Sequence, residues 1–172
     1  LPLEPAVGSR SVTPPRVQRR RRSRAARRQN PGKGFWANQR ASRSLQHAQT
    51  YSRDLYNYSR GATLVVPEVA KTESENIGRN LEAAKREFAT VRAALGGNKE
   101  ALVALDGIGK HLNKAAETQK SLHEECCKDS PNSGVCAGCC SDITKELDKA
   151  VAEHDALMRT LQGQVKTEAK TE

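Results

Sequence analysis

The five cysteines of this 172-residue chain all lie in one short segment, HEECCKDSPNSGVCAGCC, at positions 123–140. Thiols gathered in this way can form disulfides, ligate soft metal ions or act as redox nucleophiles. The candidate residues of this cluster are His123, Cys126, Cys127, Cys136, Cys139 and Cys140. The elements that carry them decide which chemistry is available.

A disulfide is the favoured interpretation of the cluster. A bond from Cys126 or Cys127 to Cys139 or Cys140 would close a loop of about 15 residues and stabilise it by about 3 kcal/mol. Five cysteines allow two such bonds and leave one thiol for an intermolecular bond. Structural disulfides indicate an oxidising compartment, so secreted or periplasmic localisation is favoured over cytoplasm.

Two other chemistries remain open for the same residues. His123 with Cys126 or Cys127 has helical i, i+3 or i, i+4 spacing, and Cys136-x-x-Cys139 has zinc-knuckle spacing, so Zn or Cu(I) could be bound. A Cys-x-x-Cys pair at a helix start also suits redox catalysis, because the helix dipole favours the thiolate. The chain lacks the βαβ pattern of thioredoxin-like proteins, which weighs against the redox alternative.

The charge of the chain is concentrated near its N-terminus. Residues 1–60 carry fourteen Lys and Arg against two acids, a net charge of +12, whereas the remainder carries −3. Residues 1–34 have no helical or strand period, and we expect them to form a disordered arm. An anionic surface or nucleic acid could bind through residues 10–28. The polyanion-binding candidates are Arg19, Arg20, Arg21, Arg22, Arg24, Arg27 and Arg28.

The same arginine-rich region bears on localisation. Ser9–Arg28 is rich in arginine, contains serine and has no acid, which is also the composition of an organellar transit peptide. Organellar import is therefore the alternative to an oxidising compartment. Because the sequence begins with Leu1 rather than Met, we expect that a segment was removed upstream of it.

Residues 35–60 form a basic aromatic segment that we expect to be helical. It holds five of the six aromatic residues, with Asn38 as the expected N-cap and Gly61 as the stop. Aromatics among arginines could stack on bases, but packing against a helical bundle is favoured by ordinary burial preferences. Residues 61–68 are expected to be an extended linker, and residues 164–172 a disordered polar tail.

Residues 69–163 show an apolar residue at alternating steps of four and three, which predicts helices near 69–95, near 99–127 and after Ser141 or Asp142. Short connections make such helices antiparallel. The fold prediction is all-α: an antiparallel three-helix bundle with a cysteine-rich hairpin loop and a disordered basic arm, a bundle that the aromatic segment could join as a fourth helix. Two polar residues, Gln119 and His154, fall at core positions.

Facing residues of an antiparallel pair have a constant sum of residue numbers. Pairing Leu95 with Leu102 gives a sum of 197 and places the apolar positions of the first two helices opposite each other, within one residue. Pairing Cys126 with Cys140 gives 266 for the next hairpin and brings all five thiols to one end of the bundle. The same register would let His111 approach His154.

The sequence contains no phosphate-binding glycine loop, no H-E-x-x-H and no nucleophilic serine elbow, so we expect a protein that is not an enzyme. No apolar run approaches the length of a transmembrane helix. The leading hypothesis is a helical interaction or scaffold protein, with a cysteine-stapled hairpin, a polyanion-binding arm, and a protein partner or a second copy of itself. The alternatives are a metal-binding protein, with Zn or Cu(I) as cofactor, and a nucleic-acid-binding protein.

Overall fold

The structure, a computed structural model, describes residues 32–168, and side chains up to Gln162. These described residues form four α-helices, which are α1 (Lys33–Gly61), α2 (Pro67–Leu95), α3 (Lys99–Cys126) and α4 (Ser133–Glu168). Within the described range there is no strand, so this part of the chain is all-helical. Most of the expected arm, 1–34, and the last residues of the expected tail, 164–172, lie outside the described residues.

The bundle has four helices rather than the three expected from the strongest periodicity. The additional member is the aromatic segment, which forms α1 and contacts both α2 and α4. Its core-facing side is made mostly of small residues, so its hydrophobic signal in the sequence is weak. The buried residues of α1 are Ala37, Asn38, Ala41, Leu45, Ala48, Ser52, Leu55 and Ser59.

Helix α1 begins at Lys33, one turn before the expected cap at Asn38. Asn38 is instead buried inside the helix, where its side chain bonds to α4. Asn98 does cap its helix, because its side-chain oxygen accepts a hydrogen bond from the Ala101 amide at 3.1 Å. The expected linker at 61–68 is shorter in the structure, since α1 includes Gly61 and α2 begins at Pro67.

Neighbouring helices pack in the cyclic order α1, α2, α3, α4 and back to α1. The three connections, residues 62–66, 96–98 and 127–132, are short, and such connections place consecutive helices antiparallel. Helices α1 and α4 are also antiparallel. The N-terminal part of α1 contacts the C-terminal part of α4, and the C-terminal part of α1 contacts the N-terminal part of α4. The contacts that show this are Asn38 with His154 and Ser52 with Cys140.

The expected register holds between α2 and α3. Ser74 contacts His123, and Gly78 lies against Gln119, and both pairs give the expected sum of 197. Gln119 is half-buried, and its side-chain amide donates a hydrogen bond to the Ser74 carbonyl at 3.0 Å. The seam read from the sequence therefore identifies which residues of these two helices face each other.

The expected register between α3 and α4 is wrong by at least one helical turn. Cys126 lies against Cys136, a sum of 262, instead of against Cys140, a sum of 266. The cause is the start of α4, which begins at Ser133 and not after Ser141. Asn132 caps this earlier start by accepting a hydrogen bond from the Val135 amide at 3.0 Å.

The shifted register also separates the two histidines that were expected to approach each other. His111 contacts Glu146 at 2.6 Å, whereas His154 is buried and its Nε2 lies 2.9 Å from Oδ1 of the Asn38 side chain. Burial lowers the pKa of His154, so its imidazole is neutral near pH 7 and its Nε2–H donates to Asn38. The edge of the Phe88 ring contacts the same imidazole.

At its C-terminus, α4 continues to Glu168, into the stretch expected to be a disordered tail. The sequence contains no proline between 164 and 168 to stop it. Among the helices of the described range, none has the combination of length and apolar character that crossing a membrane requires.

Replacing Asn38 by Ala should lower the free energy of unfolding by about 1–3 kcal/mol, because it leaves the buried His154 Nε2–H without an acceptor. Urea denaturation followed by circular dichroism measures this loss. Asn57 is exposed on the same helix, and Asn57→Ala should change the value by less than about 0.5 kcal/mol. Equal effects of the two substitutions would contradict the packing of α1 on α4.

Candidate functional site

All five cysteines lie at one end of the bundle, which we call the cysteine end and define as the last turn of α3, residues 127–132 and the first two turns of α4. Because α4 begins at Ser133, Cys136 and Cys140 are one helical turn apart and point into the core. Cys126, from α3, is buried in the same core. Cys139 is half-buried and Cys127 is exposed.

One contact between sulfurs joins the two helices of the hairpin. The Sγ atoms of Cys126 and Cys136 are 3.9 Å apart, and both residues have no solvent-exposed surface. A disulfide bond is about 2.05 Å long, so these are two free thiols in contact. All five cysteines are free, and the expected bridges from 126 or 127 to 139 or 140 are not formed.

Burial controls the acidity of this cluster. Desolvation raises the pKa of Cys140 to about 12 and raises the pKa of Cys126 further, with the neighbouring thiols adding to both effects. It also raises the pKa of Cys136 and of Cys139, the latter with contributions from Asp142 and Glu125. These four thiols are therefore protonated near pH 7, which is unfavourable for a thiolate nucleophile.

His123 does not join the buried thiols. Its Nε2 lies 3.6 Å from the Cys127 sulfur, and its Nδ1 lies 3.4 Å from the Ser74 hydroxyl. The ligand set expected from spacing is thus divided into an outer pair, His123 with Cys127, and an inner pair, Cys126 with Cys136. Within residues 32–168, no three His, Cys, Asp or Glu side chains are placed to hold one metal ion.

The loop of the cysteine end is fastened by Glu125, a residue that the sequence analysis did not single out. Its carboxylate accepts hydrogen bonds from the Lys128 ammonium and from the Asn132 amide, the latter at 2.8 Å. These bonds lower the pKa of Glu125, so the carboxylate is charged near pH 7. A glutamate just before a cluster of turn formers is the only sequence signal of this role.

Two hydroxyl groups tie α1 to the start of α4. The buried Ser52 hydroxyl donates to the Cys140 carbonyl at 2.9 Å, and the Thr144 hydroxyl lies within hydrogen-bond distance of both groups. Serine in a heptad seam is usually taken as solvent-facing, so sequence reasoning missed this contact. It fixes the helix turn that carries Cys136 and Cys140 against α1.

The opposite end of the bundle exposes two aromatic rings. Phe35 and Trp36, in the first turn of α1, are each 48% exposed and pack edge to face, with centroids 5.3 Å apart. We call this the aromatic end; it also includes the last turn of α2 and the region of α4 around Met158 and Leu161. A cavity of about 730 Å³ opens there, lined mainly by Phe35, Val91, Ala94, Leu95, Met158 and Leu161.

The other aromatics of α1 have a structural role. Tyr51, Tyr56 and Tyr58 are partly buried against the core, as the preferred interpretation of this segment expected. The Tyr58 hydroxyl accepts a hydrogen bond from the Val66 amide at 2.9 Å and so holds the connection to α2. This leaves Phe35 and Trp36 as the rings of α1 that can contact a partner extensively.

Several arginines of α1 are engaged within the protein. Arg40 forms a bidentate salt bridge with Glu87, and this salt bridge lowers the pKa of the Glu87 carboxyl. Arg53 forms a salt bridge with Asp148. Both pairs are at least partly exposed to solvent, and such pairs contribute little to stability. The polyanion-binding candidates, Arg19 to Arg28, lie outside the described residues.

Comparisons with protein-family models, with curated proteins and with solved structures gave no match to this chain. The protein is therefore classified by its fold and by the features at the two ends of its bundle. Over residues 32–168 it is a four-helix bundle with a buried thiol cluster at one end and an exposed aromatic pair beside an apolar cavity at the other.

The rate at which each cysteine is alkylated at neutral pH should decrease as its burial increases. Iodoacetamide should modify exposed Cys127 first and half-buried Cys139 more slowly, while Cys126, Cys136 and Cys140 stay protected because their thiols are both inaccessible and protonated. Peptide mass spectrometry over a time course measures the order. All five should react in urea, and modification of Cys126 at the rate of Cys127 in the native protein would contradict the described core.

Proposed function

We propose that the protein is a non-enzymatic helical interaction protein, in which a rigid bundle presents its aromatic end to a partner. The observation that carries this proposal is the exposure of Phe35 and Trp36 beside an apolar cavity. Large apolar side chains at a protein surface, next to a concave apolar site, are typical of places where a partner binds.

The basic arm supplies the second part of the proposed function. Residues 10–28 contain nine arginines and no acid, and the last of them, Arg28, precedes Phe35 by only seven residues. Such a charge density attracts polyanions through counterion release and electrostatic steering. The arm would therefore bind a polyanion.

The cysteine end supplies the third part, a disulfide between Cys126 and Cys136. Their 3.9 Å separation makes this pair a better candidate than any pair with Cys139 or Cys140. In the reaction the two thiols lose two protons and two electrons to a disulfide oxidant such as oxidised glutathione, which is reduced to two thiols. Because both sulfurs are fully buried, the bond would form during folding, before the hairpin closes.

A metal ion is the second candidate for the same pair. Two thiolates that share a tetrahedral ion with bonds of about 2.3 Å are separated by about 3.8 Å, close to the distance found here. Zn or Cu(I) would suit these soft ligands. The disulfide is preferred because it needs only the two sulfurs that are in contact, whereas a metal site needs further ligands to move.

Refolding in a glutathione redox buffer should produce a disulfide between Cys126 and Cys136. It closes a loop of about 11 residues, worth about 3 kcal/mol, so the oxidised protein should melt on the order of 10 °C higher than the reduced one. Intact mass, lower by two hydrogen atoms, and peptide mapping identify the bond. Thermal denaturation followed by circular dichroism measures the shift.

Cys136→Ser should abolish the bond and the shift, whereas Cys139→Ser should retain both. A bond that survives in Cys136→Ser would contradict the pairing. A different result would favour the metal-binding alternative over the disulfide. That result is stoichiometric Zn or Cu on protein purified without chelator, with an intact mass that shows no loss of two hydrogen atoms.

Removing charge from the arm should weaken binding to heparin, which serves as a polyanion probe. We expect the unmodified protein to be retained on immobilised heparin and eluted steeply by salt, and substitution of Arg19, Arg20, Arg21 and Arg22 by Gln to lower the salt needed for elution. The matched control removes four exposed lysines of the bundle, and should elute close to the unmodified protein. These are Lys71, Lys110, Lys114 and Lys120.

Equal effects of the two four-charge variants would show that net charge, and not the arm, causes retention. Tighter binding to an oligonucleotide than to heparin at equal salt, with a clear sequence preference, would favour the nucleic-acid-binding alternative over the interaction protein.

A further inference from the structure

The exposed thiol of the cysteine end, Cys127, has a histidine as its neighbour. The backbone N–H of Cys127 donates to the His123 carbonyl at 3.0 Å, so this residue continues the last turn of α3. Its side chain therefore lies one turn beyond that of His123, and its Sγ is 3.6 Å from the imidazole Nε2. Because Cys127 is exposed, the pair brings a thiol, a proton acceptor and solvent together.

The orientation of this imidazole is set by α2. The His123 Nδ1 lies 3.4 Å from the hydroxyl of Ser74, a residue that is completely buried. The Gln119 side chain donates to the Ser74 carbonyl at 3.0 Å and so holds this turn of α2 in place. The tautomer that fits both ring contacts carries its proton on Nδ1, which donates to Ser74, and has a lone pair on Nε2, which faces the sulfur. The imidazole can therefore accept the proton of the Cys127 thiol.

The position of Cys127 in its helix makes this acceptor important. Helix dipoles stabilise thiolates at helix N-termini, whereas Cys127 lies at the C-terminal end of α3. The ammonium of the next residue, Lys128, is engaged by the Glu125 carboxylate. Since the thiolate is the nucleophilic form, activation of this cysteine has to come from the imidazole.

A surface cavity of about 760 Å³ between α2 and α3 reaches the same imidazole. His123 and Gln119 line it from α3, and its charged lining residues have both signs. A lining of this kind suits a small zwitterionic molecule, because carboxylates pair with basic side chains and an ammonium pairs with acids. Oxidised glutathione carries all of these groups, together with a disulfide bond that a thiolate can attack. The charged residues are Arg79, Arg86, Lys120, Glu75 and Glu82.

We propose that Cys127 and His123 form a site of S-thiolation, whose substrate is a small zwitterionic disulfide such as oxidised glutathione. Nε2 of His123 takes the proton of the Cys127 thiol, and the thiolate attacks one sulfur of the disulfide. A bond forms between Cys127 and that sulfur as the S–S bond of glutathione breaks, so Cys127 is oxidised and one glutathione is reduced. The departing thiolate takes the proton from the imidazolium and leaves as a thiol.

This modification is distinct from the proposed bond between Cys126 and Cys136. It adds the mass of one glutathione to an exposed sulfur, whereas the buried bond removes two hydrogen atoms. Reduced glutathione should remove the adduct from the folded protein, because it can reach Cys127 but not the buried pair. The site also does not depend on the basic arm or on the aromatic end, so it can fail without affecting them.

Folded, reduced protein at pH 7 should gain one glutathione from oxidised glutathione, and peptide mapping should locate it on Cys127. Intact mass over a time course measures the rate. Cys127→Ser should abolish the adduct, and Cys139→Ser should retain it. Circular dichroism shows whether each variant is folded.

His123→Ala should slow the reaction by roughly tenfold or more, because the thiol loses its base. Added imidazole should restore part of the rate, which a purely structural effect of the substitution would not allow. The matched control is His47→Ala, since His47 is exposed on α1, and it should react as the unmodified protein does.

Lys120→Ala should slow the reaction with oxidised glutathione about threefold, because an exposed charge pair with a carboxylate is lost. It should not slow the reaction with cystamine, a disulfide that has no carboxylate. Lys110→Ala removes the same charge from α3 beside a different cavity and should change neither rate.

Three results would overturn the inference. Reaction of His123→Ala at the unmodified rate would show that exposure alone explains the reactivity of Cys127. A disulfide-linked dimer through Cys127, formed in place of the adduct, would assign the thiol to a second copy of the chain. Equal effects of Lys120→Ala and Lys110→Ala on the reaction with glutathione would exclude the cavity as the place where this substrate binds.

Discussion

The arrangement depends on three connections of only a few residues each, at 62–66, 96–98 and 127–132. A chain that turns so sharply must send the next helix back along the previous one. Four helices of comparable length then have their ends gathered in two groups. This constraint brings the thiols of α3 and α4 together, and it places the start of α1 beside the end of α2 and the end of α4.

The contact surfaces between the helices differ in composition, and this difference determines how closely the helix backbones approach each other. Helices α2, α3 and α4 meet through Leu, Ile and Phe side chains, whereas α1 contributes many Ala and Ser residues. A Cβ placed on Gly34 would lie 2.7 Å from the Cβ of Ala94, so glycine is needed where α1 begins against α2. The close approach of backbones also lets the Ser52 hydroxyl reach a carbonyl of α4.

Much of α2 and α3 could be predicted from the sequence, because their seams contain large aliphatic residues in an unbroken heptad rhythm. The contact of Gly78 with Gln119 follows from that rhythm alone. The membership of α1 was harder to predict, since a seam of Ala and Ser carries little hydrophobic signal. Its N-terminus was misplaced because Asn38, a good capping residue, is used for a buried hydrogen bond instead.

The candidate sites could likewise be predicted from the sequence only in part. That the thiols gather at one end follows from the topology, but the contacting pair depends on where α4 begins. The sequence predicts that this helix starts after Ser141 or Asp142. In the structure Asn132 caps an earlier start, which moves the partner of Cys126 from Cys140 to Cys136. The exposure of Phe35 and Trp36 was not predictable, because aromatic residues are usually buried and no local pattern marks these two as exceptions.

The length of the helices has a consequence for how the two ends relate. Helices α1, α2 and α3 have 28 or 29 residues, and at 1.5 Å per residue they extend for about 42 Å. The cysteine end and the aromatic end are therefore separated by roughly the length of these helices. The number of residues in each helix sets this separation.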